Sequence, residues 1–281
     1  MPSFQVQGIR IHYLTLGHGA PVLMLHGGPG MNYRSMLPLK NLAKDFQLVF
    51  LDQRGSGRSA LPDLSTLTFD HCVSDLECLR EILGIDRWTV VGHSFGGFVG
   101  LEYAIRFPKR VTRLVLIDTG YRARQVQEMA PQRLLTMGYS ERVATAAHRF
   151  FNGRVPYWQT FFVFLRFSPS YFYGRRLMPL VRSLTGKHRM KTAWYWFRHT
   201  FSDWDLSTQL QKIEAPTLIV AGRYDFQFPE DAQMDMSRRI HQSRVVIIDQ
   251  TGHNTPMECP DQVVSHIRQF LSEDIQKAST A

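Results

Sequence analysis

Val90-Val91-Gly92-His93-Ser94-Phe95-Gly96-Gly97 decides the fold of this chain. The β-branched run Thr89-Val90-Val91 reads as a buried strand, and a Gly-x-Ser-x-Gly turn follows it at once. Phe98, Val99, Leu101, Ala104 and Ile105 then recur at helical spacing. Strand, sharp turn and helix together form the setting in which a serine hydroxyl is raised above the edge of a sheet as a nucleophile. Glycines two before and two after Ser94 keep side chains from colliding where strand and helix nearly touch.

On the N-terminal side, Phe4 to Gln7 and Ile9 to Tyr13 read as an opening hairpin around Gly8. Val22 to Leu25 and Phe46 to Leu51 are continuous apolar runs, as expected of strands covered on both faces. The first ends in His26-Gly27-Gly28-Pro29-Gly30 and the second in Asp52-Gln53-Arg54-Gly55-Ser56-Gly57-Arg58-Ser59. Leu37, Leu39 and Leu42 suggest a short helix between them. Phe69, Val73, Leu76, Leu79, Ile82 and Leu83 fall on one face of a helix that Gly84 ends. On the C-terminal side, Val111 to Ile117, Pro216 to Ala221 and Val245 to Ile248 complete the strands, and helices follow the last two. This alternation predicts an α/β fold: a mainly parallel eight-stranded sheet flanked by helices.

The interval from Thr119 to about Leu210 breaks the alternation. Between Tyr121 and Asp205 there are 14 Arg and Lys against 4 Asp and Glu, a net +10 that leaves −1 for the rest of a chain whose total is +9. The same interval holds 19 of the 34 aromatic residues. This shift predicts an inserted helical cap over residues 120–210, between core segments 1–119 and 211–281. Aromatics at Tyr157 to Phe167, Tyr171 to Tyr173 and Trp194 to Phe197 interleave with Arg166, Arg175, Arg176 and Arg198. Three readings fit them: packing onto the core, an apolar acyl or aryl pocket between cap and core, and weak peripheral contact with anionic membrane. No recognisable nucleic-acid module accompanies the charge, so no nucleic-acid partner is expected.

A serine hydroxyl is a poor nucleophile without a base, and the base needs a third group to hold it. In open α/β sheets these groups arrive on loops at the carboxyl ends of strands. His253 follows the strand at Val245 to Ile248, and Asp225 follows the strand at Pro216 to Ala221. The order Ser94, Asp225, His253 suits this architecture. Asp118 also ends a strand and is the rival acid. The backbone N–H groups of Phe95 and Gly28 are the expected oxyanion donors. His26 and His93 abut glycine turns and read as structural. No Cys/His cluster has zinc-ligand spacing, so neither metal nor cofactor is expected. Cys72, Cys78 and Cys259 are odd in number and lack a framework spacing. With no evident signal peptide or membrane-length apolar run, they suggest a cytoplasmic protein.

These motifs together resemble the α/β-hydrolases, and more narrowly the proline iminopeptidase branch. The likeness rests on HGGPG at His26–Gly30, DQRGSGRS at Asp52–Ser59 and GHSFGG at Gly92–Gly97. It continues in Trp204-Asp205 with Ala215-Pro216-Thr217-Leu218, in Gly222 to Asp225 and in Gly252-His253, covering roughly residues 4–118 and 203–272. The resemblance implies a nucleophile at Ser94, an acid at Asp225, a base at His253 and donors at Gly28 and Phe95. Two positions depart from the branch, which usually carries Trp where Phe95 stands and often Glu where Phe226 stands. Its aminopeptidases hold the substrate's free amine with carboxylates of the cap. Here the cap offers only Glu128, Glu141, Asp203 and Asp205, and a +10 segment repels an ammonium group. The expected activity is therefore hydrolysis of small-molecule esters or amides with an apolar acyl or aryl group. Release of N-terminal proline from a short peptide is the alternative, and a ligand receptor on a hydrolase scaffold is a third.

Overall fold

A computed structural model describes residues 2–175 and 187–279. Eight strands form one sheet: β1 Ser3–Val6, β2 Ile9–Leu16, β3 Ala20–Leu25, β4 Phe46–Asp52, β5 Trp88–His93, β6 Val111–Ile117, β7 Thr217–Gly222 and β8 Ser243–Ile248. Their order is β1-β2-β4-β3-β5-β6-β7-β8. β1 and β2 pair antiparallel, β2 pairs antiparallel with β4, and every later pairing is parallel. The carboxyl ends of β3, β5, β6, β7 and β8 therefore open onto the same edge. The expected α/β sheet is present, with eight strands and a mainly parallel pairing.

Both faces of the sheet are covered. One face packs on α1 (Phe69–Ile82) and α2 (Phe95–Arg106) through Leu76, Leu79, Val99 and Leu101. The other packs on the segment Tyr33–Lys44 and the helix Pro260–Ser279 through Met36, Leu39, Val263 and Ile267. The expected short helix is present as Tyr33–Lys44, a run of 3₁₀ turns; Pro38 lies inside it and has no N–H for an i→i−4 bond. One local expectation needs correction. Ile82 is 52% exposed. The buried stripe of α1 runs through Val73, Leu76 and Leu79 toward Leu83, and Ile82 is turned about 100° away from Leu83.

Between β6 and β7 the described residues are mostly helical, with α3 (Ala130–Thr136), α4 (Glu141–Phe151), α5 (Thr160–Phe167) and Met190–Tyr195. It leaves and returns side by side: Ala123 N–H donates to the Trp204 carbonyl at 2.8 Å, and Leu206 N–H to that of Tyr121 at 2.9 Å. The returning stretch packs on α1 and α2 through Trp196, Phe201 and Trp204 against Phe69, Phe95 and Phe98. Each such ring withdrawn from water is worth about 1.5–3 kcal/mol. Of the arginines interleaved with the aromatics, Arg176 lies outside the described residues, as does the side chain of Arg175.

The elbow at Ser94 is strained and tightly enclosed. Ser94 has φ +51°, a conformation costly for a residue with a Cβ. Its N–H donates to the Ile117 carbonyl at 2.9 Å, and its own carbonyl accepts from the Thr119 hydroxyl at 2.8 Å. A Cβ at Gly96 would press into the Leu25 carbonyl of β3, and one at Gly92 into the Gly96 carbonyl. Gly96→Ala is accordingly expected to cost about 1–3 kcal/mol. The cost is read as a lower urea midpoint with an unchanged slope; an unchanged midpoint would show that the strand and helix have room to part.

Candidate active site

The loops after β5, β7 and β8 meet. Nε2 of His253 lies 2.8 Å from Oγ of Ser94, and its Nδ1 lies 2.9 Å from Oδ2 of Asp225. The other Asp225 oxygen accepts the N–H groups of Gln227 at 2.8 Å and Phe228 at 3.2 Å. Asp225 and His253 are 2% and 1% exposed, so their interaction is little screened by solvent. Burial disfavours a charged imidazole, but the charge of Asp225 and its hydrogen bond outweigh this. The His253 pKa is raised above the ordinary 6.5.

Asp118, the rival acid, stands elsewhere in the same cluster. Its Oδ1 accepts from Gly222 N–H at 2.9 Å, and its Oδ2 accepts from the N–H and hydroxyl of Thr255 at 2.9 and 2.8 Å. It thus ties the end of β6 to the loops that carry Asp225 and His253. Burial, followed by the charge of Asp225, pushes its carboxyl up to about 7. His93 Nε2 donates to the His253 carbonyl at 2.9 Å. Burial and the neighbouring His253 lower the His93 pKa to about 3, so it stays neutral and keeps that N–H. His26 sits 2.9 Å from the Gly27 carbonyl and accepts from Gln53 N–H at 3.3 Å. Both histidines brace loops, as their place beside glycine turns suggests.

The two glycine motifs lock each other. Gly30 N–H donates to the Ser56 hydroxyl at 3.0 Å, and the Gln53 amide to the His26 carbonyl at 2.9 Å. Arg54 is held by the buried Asp75 at 2.6 Å. The chain between β6 and β7 lands on the same glycines: Arg189 N–H donates to the Gly30 carbonyl at 2.8 Å, and the Thr192 hydroxyl to that of Gly55 at 2.7 Å. Gly28 and Phe95, the expected oxyanion donors, both line the space around Ser94. Phe95 opens α2, where an N–H has no carbonyl one turn earlier within the helix.

The model of the alpha/beta hydrolase fold matches residues 20–260. The chain belongs to that family. This α/β-hydrolase is 29% identical over 294 residues to a proline iminopeptidase of Saccharolobus solfataricus, covering 96% of this chain and 91% of that protein. Among solved structures it resembles a proline iminopeptidase of Mycobacterium smegmatis, with TM-score 0.79, 22% identity and 99% of both chains covered. It also resembles a thermophilic esterase of Thermogutta terrifontis, with TM-score 0.75, 24% identity and 96% of both chains covered.

The hydrolase pocket that contains Ser94 and His253 has an empty volume of about 1010 Å³, its opening to solvent included. Phe150, Phe164, Phe197 and Phe201 from the β6–β7 connection form much of its wall, with Phe95 and Phe98 of α2. Among the described residues no Asp or Glu lines it. Glu128, Glu141, Asp203 and Asp205 are all exposed and outside it, and residues 176–186 contain no acid in their sequence.

Two supports of His253 carry no signal that the sequence reading used. The Tyr171 carbonyl accepts the His253 N–H at 2.9 Å, and its ring meets the imidazole edge-on at 5.2 Å. Glu258 accepts from Gly252 N–H and Tyr173 N–H, both at 2.8 Å, which fastens the His253 loop to the segment above it. An acid five residues after the histidine is a visible feature, but Tyr173, the partner that fastens it to the segment above, stands 85 residues away and has no local signal.

Proposed function

We propose that this α/β-hydrolase cleaves carboxylic esters, or amides without a free α-amine, whose acyl or aryl group is apolar. The aromatic wall around Ser94, to which no Asp or Glu contributes among the described residues, carries this reading. An α-ammonium group brought there would lose its hydration without a carboxylate to replace it, which is costly. A hydrocarbon or aryl group gains roughly 25 cal/mol for each Å² removed from water.

In the proposed cycle His253 Nε2 takes the Ser94 proton as Oγ attacks the substrate carbonyl carbon. The N–H groups of Phe95 and Gly28 receive the charge that develops on the carbonyl oxygen. The imidazolium, steadied by Asp225, returns the proton to the leaving alcohol or amine, and an acyl group remains on Ser94. Water then enters, His253 removes its proton, and the acid departs as Ser94 is reprotonated. In this reading residues 120–210 act as a cap whose aromatics shape the acyl site. The neck at Tyr121–Ala123 and Trp204–Leu206 supports that division. Three free cysteines are compatible with a cytoplasmic setting.

Release of N-terminal proline is the second reading. It is favoured by the HGGPG and DQRG motifs and by the activity named for the archaeal relative. Comparing p-nitrophenyl butyrate and hexanoate with proline p-nitroanilide separates the two. The ester reading expects kcat/KM for the esters to exceed that for the proline anilide by at least about 100-fold, in line with a missing charge partner. A faster proline substrate, slowed by acetylation of its nitrogen, would replace the ester reading with the peptidase one.

A further inference from the structure

Helix α5 and the turn before it have two faces. Val163, Phe164 and Phe167 point inward, and Phe164 lines the Ser94 pocket. Outward stand Tyr157, Trp158, Phe161 and Phe162, which are 54%, 65%, 39% and 66% exposed. Their spacing of one helical turn places them on one side. None of the four lines the pocket. Single exposed aromatics are ordinary, but four on one turn and a half form a patch that calls for a partner.

Charge around the patch indicates which partner. Arg166 lies one turn beyond Phe162 and is exposed, and it shares a surface depression with Arg142 and Arg149 of α4. Exposed Arg154 lies just before the aromatics. From residue 139 to 170 there are four arginines against one acid, Glu141, which lies in the same depression. A second copy of the chain would bring these arginines against their own equivalents, because a two-fold contact pairs a patch with itself. Aromatic rings with an apolar body, flanked by arginines, suit the boundary between headgroups and acyl chains.

We propose that the Tyr157–Phe162 face docks on an anionic lipid surface, with Trp158 and Phe162 entering the interface and Arg149 and Arg166 meeting lipid phosphates. Because Phe164 on the opposite side of α5 lines the pocket, docking sets the acyl site close to the lipid. The docking itself does not rest on the catalytic reading, and its test needs no turnover.

The test is sedimentation of the full chain with phosphatidylcholine vesicles, with and without phosphatidylglycerol, at low and high salt. The expected result is binding to phosphatidylglycerol vesicles that weakens with salt. The double variant Trp158→Ala/Phe162→Ala should lower partitioning by about tenfold or more. Arg149→Gln and Arg166→Gln should each lower it roughly fivefold. All variants should keep the melting temperature and the hydrolysis of a soluble p-nitrophenyl ester, since none of these side chains lines the pocket. Failure to bind phosphatidylglycerol vesicles, or binding that the double variant leaves intact, would overturn the proposal. So would self-association of the wild type that the double variant abolishes, which would assign the face to a second copy.

Discussion

Ser94→Ala is expected to lower kcat toward p-nitrophenyl esters by about 10⁵–10⁶-fold while leaving the fold and the pocket in place. The size follows from the arrangement. Only Oγ of Ser94 lies 2.8 Å from Nε2 of His253, and a methyl group there can neither attack nor give up a proton. What remains in the proposed cycle is the contribution of binding and of the Phe95 and Gly28 N–H groups, typically about 10³–10⁴ over the uncatalysed rate. Replacement by Ala removes one polar atom from a partly exposed elbow that is clamped by Ile117 and Thr119, so the melting temperature should change little. A folded variant that keeps more than about 1% of wild-type turnover would show that another group carries the chemistry.

Asp225→Asn is the second large effect, expected at about 10⁴-fold in kcat. The amide keeps the volume of the carboxylate but removes the charge that outweighs burial at His253. It can also present an N–H₂ to Nδ1, which selects the tautomer with the proton on Nε2, the nitrogen that must receive the Ser94 proton. The pH profile gives an independent reading. In the proposed cycle His253 acts as a base only when neutral, so wild-type kcat/KM should fall as pH drops through a pKa above 6.5. Without the Asp225 charge, burial dominates and that acid limb should move to lower pH. A limb that stays in place would mean that the titrating group is not the imidazole beside Asp225. Asp118 gives the contrast: it faces Gly222 and Thr255, so Asp118→Asn should loosen the loops rather than select a tautomer.

Much of this site could be read from the chain because its parts are local. Ser94, Asp225 and His253 each follow a short apolar strand within a few residues, and parallel pairing delivers all such strand ends to one edge. Gly92 has a local cause in the crowding at the Gly96 carbonyl, where the strand turns into the helix. What could not be read depends on contacts between distant segments. Tyr171 reaches His253 through a backbone carbonyl, which any residue type could supply. Gly30 and Gly55 resemble loop glycines in sequence; the structure gives both a positive φ, and at Gly30 the Arg189 carbonyl stands where a Cβ would go. Ile82 illustrates the same limit on a smaller scale: periodicity placed it inward, but the turn at Leu83 and Gly84 leaves its side chain in solvent.

In the proposed cycle Ser94 becomes acylated with His253 as its base. The most direct test is intact-mass and peptide analysis after treatment with an alkyl fluorophosphonate, whose tetrahedral phosphorus accepts an activated serine and then stays bound. One adduct per chain is expected, located on Ser94, formed at least about 100-fold more slowly in His253→Ala and more slowly in the wild type below the His253 pKa. An enzyme that hydrolyses esters while Ser94 remains unmodified, or whose adduct forms on another residue, would contradict the proposed cycle.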